Sequence, residues 1–541
     1  MYYVRGNMKN GSLVYSKRGA TQRLLWSMIA AVAALSLVLL TYSHLIYLPA
    51  MTGEGGYRQF LRAGHHRFTV NLRETYKIHA ETFNEDQQKV ADMTRHAWKG
   101  YRKFAGWHDY LSMPDLKSGS IYSHDMALTT VDSLDTLFLM GLHDEFDEAS
   151  AWVKANLSET MFQGGTVSFF ETTIRSLGGL LSAYYFSGEQ HFLDIATSLG
   201  KALQMGFTCG NHVPCRAVDL DEGYLSYEEP LLSEMGTFQL EFAYLAHATK
   251  DDSFMVEVNH VNSIMIDVVK KRYNNGLIPV MMDWNSMIGQ PGSVISVGAL
   301  GDSYYEYLLK QWLLSGKKDS QMRDMYVTAV AGIETELVGY SYPSKYAFIG
   351  KRVITGELDP AMEHLTCFVP GMLALGYLHG MPSSHLELAK ELTETCVQMY
   401  LHSASHLSPE ITQFVTEVDP EGNKKTYPEL FTFPTQDYNI LRPETVESLM
   451  ILYRVTGDEI YREHGRMIME AFEKHSKVPE GGYRGTINVW NGTPTTKQGG
   501  METFFIAETL KYLFLLFSDD DVLPLDEVVF NTEAHPFPVW R

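Results

Sequence analysis

The sequence predicts an all-α fold, a closed α/α barrel of helical hairpins preceded by one transmembrane helix. A repeated unit predicts the barrel. An apolar helix, a short turn with Gly or Asp and an amphipathic helix recur along the chain, as in residues 181–193 and 450–462, and such recurrence is typical of helical repeat architectures. The first helix of each pair is apolar on nearly all sides, with polar residues at its end, which favours two concentric layers over an open array.

The N-terminal segments have distinct compositions. Residues 24–48 contain no Asp, Glu, Lys or Arg, and about 20 apolar residues suffice to cross a bilayer as a helix. Residues 1–23 carry Lys and Arg but no acidic residue, so the positive-inside rule keeps this tail cytoplasmic. A cleaved signal peptide is the alternative, but the apolar run is long and no small-x-small site follows it. We therefore predict a signal anchor in a single-pass type II membrane protein, with all later residues in the lumen.

The rest of the chain divides into a stem, residues 49–83, and a helical domain, residues 84–541. The stem mixes Gly, Arg, His and Thr without periodicity. From Asn84 onward, apolar residues recur at three- and four-residue steps, which predicts helices. Seven apolar helices are predicted to begin near Val131, Phe170, Met235, Asp302, His364, Pro443 and Glu502. Short strands fit some of the loops, such as residues 351–357.

Charge and cysteine content restrict the function further. The net charge is −21, which argues against nucleic-acid binding because phosphate contacts need clustered Lys and Arg. The four cysteines all follow the predicted anchor and are even in number, as an oxidising compartment favours. Three pairings are open, although Cys209 and Cys215 flank a turn-forming stretch that suits a small disulfide loop. The sequence does not indicate an oligomeric state.

Carboxylates in apolar or aromatic surroundings lie at the predicted ends of the inner helices, whereas the HExxH, P-loop and GxSxG signatures are absent. Cleavage of a glycoside needs one protonated carboxyl group and a second carboxylate that activates water or attacks the sugar. Apolar packing raises the pKa of the first group. A structural interpretation also exists, since Glu171 and Arg175 have the spacing of a helical ion pair. The carboxylates concerned are Glu171, Asp302, Glu444, Glu502, Glu508 and Glu533.

At these residues the sequence resembles the class I α-1,2-mannosidases, glycoside hydrolase family 47. The similar segments are residues 170–184, 302–310, 364–371, 441–448 and 530–536, long motifs in the family's order. The resemblance implies an (α/α)7 barrel plugged at one end by a C-terminal hairpin. It also implies inverting hydrolysis of α-1,2-linked mannose on high-mannose N-glycans.

The resemblance further implies roles for individual residues. Glu171 matches the general acid and Glu444 the general base, while Asp302 is a competing candidate for the water-activating role. Glu410 matches another acidic position of the family. Positions that match substrate contacts are Arg175, Glu234, His364, Arg442, Phe504 and Glu508.

A calcium ion is implied in the same way. Thr532 matches the residue that binds calcium through its hydroxyl and carbonyl oxygens, and oxygen ligands suit this hard cation. The positions that match the family's water-orienting carboxylates are Glu447, Glu502, Glu508 and Glu533. Cys367 and Cys396 match the family disulfide.

One position departs from the endoplasmic reticulum members of the family. Leu300 stands where they carry an arginine that grips one glycan branch, and Golgi members have a smaller or aliphatic residue there. Residues 441–448 and 530–540 are instead more similar to the endoplasmic reticulum enzyme. The expected location is therefore the endoplasmic reticulum membrane or the Golgi membrane.

Two other functions compete with a processing enzyme. One is a lectin-like protein that recognises glycans in glycoprotein quality control, and the other is a helical-repeat scaffold. The intact residues Glu171, Asp302, Glu444 and Thr532 favour an enzyme over a lectin. A scaffold does not need inward carboxylates flanked by aromatic rings.

Overall fold

The computed structural model describes residues 82–541 except 114, 123, 210–211, 222–227, 229, 354–355, 417–426, 491, 493 and 497–498. The predicted tail (1–23), the predicted anchor (24–48) and nearly all of the predicted stem (49–83) lie outside the described residues. In the described part of the chain, no helix has the length and apolar character needed to cross a membrane.

Helices make up most of the described chain, and the apolar ones begin within about one turn of their predicted positions. The α-helices are α1 (Glu85–Phe104), α2 (Leu128–Leu139), α3 (His143–Trp152), α4 (Ser158–Met161), α5 (Phe169–Glu171), α6 (Gly178–Ser187), α7 (Gln190–Gln204), α8 (Leu232–Gly236), α9 (Gln239–Thr249), α10 (Met255–Lys271), α11 (Asp302–Leu314), α12 (Ser320–Glu336), α13 (Val369–Leu378), α14 (Ser383–Leu401), α15 (Glu444–Thr456), α16 (Ile460–His475) and α17 (Lys511–Leu516). Short π-helical or 3₁₀ segments adjoin them at Val153–Leu157, Thr172–Leu177, Asp252–Phe254, His364–Phe368 and Phe505–Leu510.

The strands are short and pair antiparallel in small sheets between the helices. They are β1 (Tyr110–Ser112), β2 (Lys117–Gly119), β3 (Thr166–Ser168), β4 (Ala217–Asp219), β5 (Met282–Asp283), β6 (Ile288–Gly289), β7 (Val338–Tyr340), β8 (Ala347–Ile349), β9 (Lys351–Arg352), β10 (Leu358–Asp359), β11 (Ala361–Glu363), β12 (Ile411–Phe414), β13 (Leu430–Phe431), β14 (Tyr438–Asn439), β15 (Thr486–Ile487), β16 (Thr495–Thr496), β17 (Gly500–Met501), β18 (Val528–Phe530) and β19 (Pro536–Pro538). The sheets are ordered β17-β1-β2, β3-β4, β5-β6, β7-β8, β10-β9, β11-β12-β13, β14-β15-β16 and β18-β19.

The first helix of the domain shows why the sequence pattern predicts its position. The Asn84 side chain accepts a hydrogen bond from the Gln87 N–H at 2.9 Å, and the Gln87 side chain accepts one from the Asn84 N–H at 3.1 Å. This capping box satisfies N–H groups that the helix itself leaves unpaired. Val90, Ala97 and Tyr101 are fully buried, so the predicted apolar face is the packed face of α1.

Successive apolar helices contact one another in chain order. Each helix contacts the next one in the order α2, α6, α9, α11, α13, α15 and α17. The segment Phe505–Leu510, which leads into α17, packs against α2. We call these the inner helices. Most of them also pack against the amphipathic helix that follows them, as α6 does against α7 and α15 against α16. Every residue of α2 is buried because neighbours cover it on all sides.

The β18–β19 hairpin packs against inner helices: β18 contacts α11, and β19 contacts α6. The Asn531 side chain in its turn donates to the Ile174 carbonyl at 2.9 Å and to Glu241 at 2.8 Å. A Cβ atom at Gly178 would lie 2.7 Å from the Asn531 amide nitrogen. Glycine is therefore required at position 178 for the hairpin turn to approach this closely.

Both disulfides form within this domain. Cys367 pairs with Cys396, as the family resemblance implies. Cys209 pairs with Cys215, which closes the small loop that the sequence left as one of its alternatives.

A buried ionic cluster connects α2, α17 and the turn of the β18–β19 hairpin. Lys511 on α17 lies 2.9 Å from Asp135 on α2, and His535 Nδ1 in the hairpin turn lies 2.8 Å from the same carboxylate. All three side chains are fully buried. Although burial opposes ionisation, Lys511 and His535 lower the pKa of Asp135 to about 2. Their charges therefore connect α2, α17 and the hairpin.

Removing one member of this cluster should destabilise the protein strongly. We expect Asp135→Asn to lower the free energy of unfolding by about 3 to 5 kcal/mol, because the ammonium of Lys511 then stays buried without a counter-charge. The matched control is Asp267→Asn, which breaks the exposed helical pair with Lys271 and should cost less than about 1 kcal/mol. Denaturant unfolding measures both values, and equal costs for the two variants would contradict the prediction.

Candidate active site

A cavity of about 430 Å³ lies where α2, α5 and the segment Phe505–Leu510 begin. Charged groups and aromatic rings line it together. Such a mixture can hold a sugar by hydrogen bonds to its hydroxyl groups and by contact with its C–H face. Predicted site residues among its lining are Glu171, Arg175, Glu502 and Phe504.

Glu171 is positioned by the end of a strand. The Ser168 hydroxyl at the end of β3 accepts a hydrogen bond from the Glu171 N–H at 3.2 Å and caps the short helix α5. The Glu171 carboxylate accepts a hydrogen bond from Arg175 Nε at 2.7 Å, so the ion pair that the four-residue spacing predicts is formed. Arg175 also pairs with Glu533 and Asp132. The Glu171 side chain remains 39% exposed and lines the cavity, which leaves its carboxylate accessible to a ligand.

A second carboxylate, Glu444, begins α15. His364 Nδ1 lies 2.7 Å from Glu444 Oε2, and Nε2 of the same ring lies 2.7 Å from the Tyr400 hydroxyl. Burial opposes ionisation of Glu444, but His364 and Arg442 hold its pKa below the ordinary value. Glu444 is therefore ionised at neutral pH and can accept a proton.

The turn before α15 presents Arg442. Leu441 has a φ of +70°, which a residue with a side chain adopts only when its surroundings hold it there. Its N–H donates to the Asn439 side chain at 2.9 Å. Arg442 Nε then donates to both carboxylate oxygens of Glu410 at 2.8 and 3.0 Å. Glu410 thus fixes the direction of the guanidinium.

The ring of Phe504 lies near both Arg175 and Arg442. Its ring centroid lies 6.0 Å from the guanidinium carbon of Arg175 and 5.9 Å from that of Arg442. These distances are at the outer limit of useful cation–π attraction. Because Arg175 binds Glu171 and Arg442 precedes Glu444 by two residues, the ring lies near the segments that carry both carboxylates.

Asp302 is the first residue of α11, and its side chain accepts a hydrogen bond from the Ser303 N–H at 2.9 Å. Burial raises the pKa of Asp302 to about 7, and the charges of Glu306, Glu363 and Glu444 add to the rise. The group is therefore partly protonated at neutral pH, unlike Glu444.

Thr532 lies among buried carboxylates, and its hydroxyl donates to Glu306 at 2.8 Å. Burial raises the pKa of Glu447 and of Glu533 to about 8 and that of Glu508 well above its ordinary value. Such shifts arise because burial, together with neighbouring carboxylates, outweighs the cations around these groups. Within the described residues, no three His, Cys, Asp or Glu side chains converge as a metal-binding group.

Glu234 and Leu300 lie together on another edge of the site. Glu234 Oε2 accepts a hydrogen bond from the Leu231 N–H at 2.7 Å. The adjacent Ser233 N–H donates to the Leu300 carbonyl at 3.0 Å. Leu300 is 44% exposed and has a φ of +74°.

The sequence prediction missed several ionic residues of the inner helices. Glu306 and Lys310, four residues apart on α11, form a buried ion pair, and Glu306 contacts Thr532. A detectable signal was a pair of opposite charges at this spacing inside an otherwise apolar helix. The same signal, a charge within an apolar run, marks Asp135 and Lys511.

Comparison with known proteins agrees with this geometry. The model of glycosyl hydrolase family 47 matches residues 93–539. The chain is 43% identical over 463 residues to the endoplasmic reticulum mannosyl-oligosaccharide 1,2-alpha-mannosidase of Rattus norvegicus, covering 84% of this chain and 68% of the relative. It is 39% identical over 469 residues to mannosyl-oligosaccharide 1,2-alpha-mannosidase IB of Homo sapiens, covering 84% and 70%. The solved structure of an alpha-1,2-mannosidase from Trichoderma reesei matches with a TM-score of 0.75 at 27% identity, covering 84% of this chain and 99% of that one. With its family match spanning nearly the whole described domain, this chain is a glycosidase that belongs to glycosyl hydrolase family 47.

Proposed function

We propose that the protein hydrolyses α-1,2-linked mannose on high-mannose N-glycans. The observation that carries this proposal is the pair of carboxylates, Glu171 and Glu444, whose arginine neighbours lie 6.0 and 5.9 Å from the centroid of the Phe504 ring. The relatives named as mannosidases support the substrate class.

We further propose an (α/α)7 barrel in which the inner helices surround the site and the β18–β19 hairpin plugs one end. The ring of contacts from α2 through α17 and back supports this arrangement. Residues 24–48 would anchor the domain in the endoplasmic reticulum or Golgi membrane, with the site in the lumen. Their composition supports the anchor, and the name of the rat relative supports the first of these compartments.

Glu444 is proposed as the general base of an inverting reaction. Its lowered pKa keeps it ionised, and its hydrogen bond to His364 holds the carboxylate in place. An ionised carboxylate can take a proton from water as the water attacks the anomeric carbon.

Glu171 is proposed as the general acid, since its carboxyl group lines the cavity. Asp302 is a second candidate for proton donation. Its pKa of about 7 leaves a protonated fraction at neutral pH, which favours donating a proton over activating water. Arg175, Glu234, His364, Arg442, Phe504 and Glu508 are proposed to position the sugar.

A calcium ion is proposed beside Thr532. The residues present fit such an ion, because burial raises the pKa of the carboxyl groups there and a bound cation would stabilise their ionised, ligating form. Thr532 would hold it through its hydroxyl and carbonyl oxygens, with water oriented by Glu447, Glu502, Glu508 and Glu533. When bound, calcium would coordinate sugar hydroxyl groups and so orient the ring.

A lectin-like role in quality control is the alternative function. Such a protein needs the binding residues but not a base with a lowered pKa. The intact Glu444–His364 pair therefore favours hydrolysis.

Neutralising either proposed catalytic carboxylate should abolish most activity. We expect Glu171→Gln and Glu444→Gln each to lower turnover by about 10² or more while glycan binding stays close to that of the wild type. Glu394→Gln, an exposed position on outer helix α14, is the matched control. NMR at early times should show β-mannose as the first product, and detection of the α-anomer would refute inversion.

A substrate whose leaving group needs no proton separates the two candidate acids. On α-mannosyl fluoride, the variant that lacks the true acid should recover much of its lost activity. We expect recovery for Glu171→Gln but not for Glu444→Gln, since water must still be activated. Recovery for Asp302→Asn instead of Glu171→Gln would assign proton donation to Asp302.

Calcium removal should inactivate the enzyme, and calcium but not zinc alone should restore it. At a free concentration of 100 Kd, binding should also stabilise the fold by about 2.7 kcal/mol, measured as a rise in melting temperature. Thr532→Val should weaken this stabilisation, whereas Thr532→Ser keeps the hydroxyl and should retain it. Full activity in excess EDTA would contradict the proposed site.

A further inference from the structure

Arg216 lies at the edge of the candidate site, and none of the roles above uses it. Its Nε lies 3.2 and 3.1 Å from the two carboxylate oxygens of Glu234, and its Nη1 donates to Glu228 at 2.9 Å. The Nη2 group makes no hydrogen bond with the described residues. Because the side chain is 37% exposed, these N–H groups are available to a ligand.

The backbone holds Arg216 close to Glu171. The Phe169 N–H donates to the Arg216 carbonyl at 3.0 Å, and Ser168 pairs with Ala217 across β3 and β4. Burial raises the pKa of Glu234, and the Glu171 charge adds to that rise. The charges of Glu171 and Glu234 therefore act on one another, with Arg216 beside the second.

A disulfide restrains the segment that carries this arginine. Cys215 directly precedes Arg216 and pairs with Cys209, and the Cys215 N–H donates to the Gly206 carbonyl at 2.9 Å. A binding group that is held in place before its ligand arrives loses less conformational entropy on binding.

The edge next to Arg216 combines two kinds of surface. Glu234 offers hydrogen-bond acceptors. The Ser233 N–H next to it donates to the Leu300 carbonyl, which brings the exposed aliphatic side chain of Leu300 to the same edge. A pyranose has hydroxyl groups around its rim and C–H groups on its faces. A guanidinium donates to adjacent hydroxyl oxygens in a fixed geometry, so a sugar ring fits this edge.

Building on the proposed function, we propose that Arg216, with Glu234, binds the hydroxyl groups of a mannose residue beyond the two that the cleaved linkage joins. Arg216 thereby helps to select which glycan branch enters the site. The ligand class is a neutral hexose within the same oligosaccharide.

The experiment compares a long and a short substrate. The values of kcat/KM are measured for a high-mannose N-glycan and for α-1,2-mannobiose, which lacks residues beyond the two that the cleaved linkage joins. For Arg216→Met, we expect the ratio of glycan to mannobiose kcat/KM to fall roughly tenfold, as for one lost hydrogen bond to a charged donor. The fall should lie in KM, and the order in which branches are trimmed should change.

Two further variants complete the test. Arg216→Lys keeps the positive charge but not the planar, forked guanidinium, so the ratio of glycan to mannobiose kcat/KM should fall less. If the Met variant does not fold, the Lys variant provides the test. Arg323→Met, at an exposed arginine on outer helix α12, is the matched control and should leave the ratio unchanged.

Each outcome decides between the proposals. Equal losses on both substrates would make Arg216 a support for the Glu171 segment and overturn this inference. An active wild-type enzyme whose ratio and branch order do not change in the variants would overturn this inference alone. A wild-type enzyme inactive on both substrates would overturn the proposed function and this inference with it.

Discussion

Ionised side chains are buried among the inner helices, and the packing of those helices depends on how each charge is compensated. A buried carboxylate destabilises the fold by several kcal/mol unless a cation or hydrogen-bond donor compensates it. Asp135 has Lys511 and His535, Glu306 has Lys310, and Glu241 accepts hydrogen bonds from Tyr307 and Asn531. Several of these contacts join different inner helices or the hairpin, so charge compensation also fixes which elements are neighbours.

Compensation differs between the structural cluster and the candidate site. The pKa of Asp135 is lowered because two cationic side chains contact it. The pKa values of Glu447, Glu508 and Glu533 are raised because burial and neighbouring carboxylates outweigh their cations. Strongly perturbed groups that the fold leaves uncompensated are typical of functional sites. The same chemistry that stabilises the Asp135 cluster therefore marks the neighbouring carboxylates as a place for a ligand.

Much of this architecture could be predicted from the sequence. The starts of the apolar helices follow from periodicity, but α2 is buried along its whole length although Asp132 and Asp135 lie within it. Glu171 and Glu444 were recognisable by their aromatic or proline-bearing surroundings and by family motifs. The bond between Asp135 and Lys511 was not predictable, since it joins residues far apart in the chain. Only the tertiary packing decides which buried charges meet.

The chemical groups and the selective groups of the site have different structural origins. Glu444 and Asp302 occupy the first turns of α15 and α11, where packed helices hold a side chain more accurately than a loop does. Arg216 and Leu300 lie in connections between helices, and the Cys209–Cys215 disulfide restrains the first of them. Loops tolerate substitution better than packed elements. If the proposed roles hold, a change of glycan preference can therefore arise at Arg216 or Leu300 while the helix ends keep Glu444 and Asp302 in register.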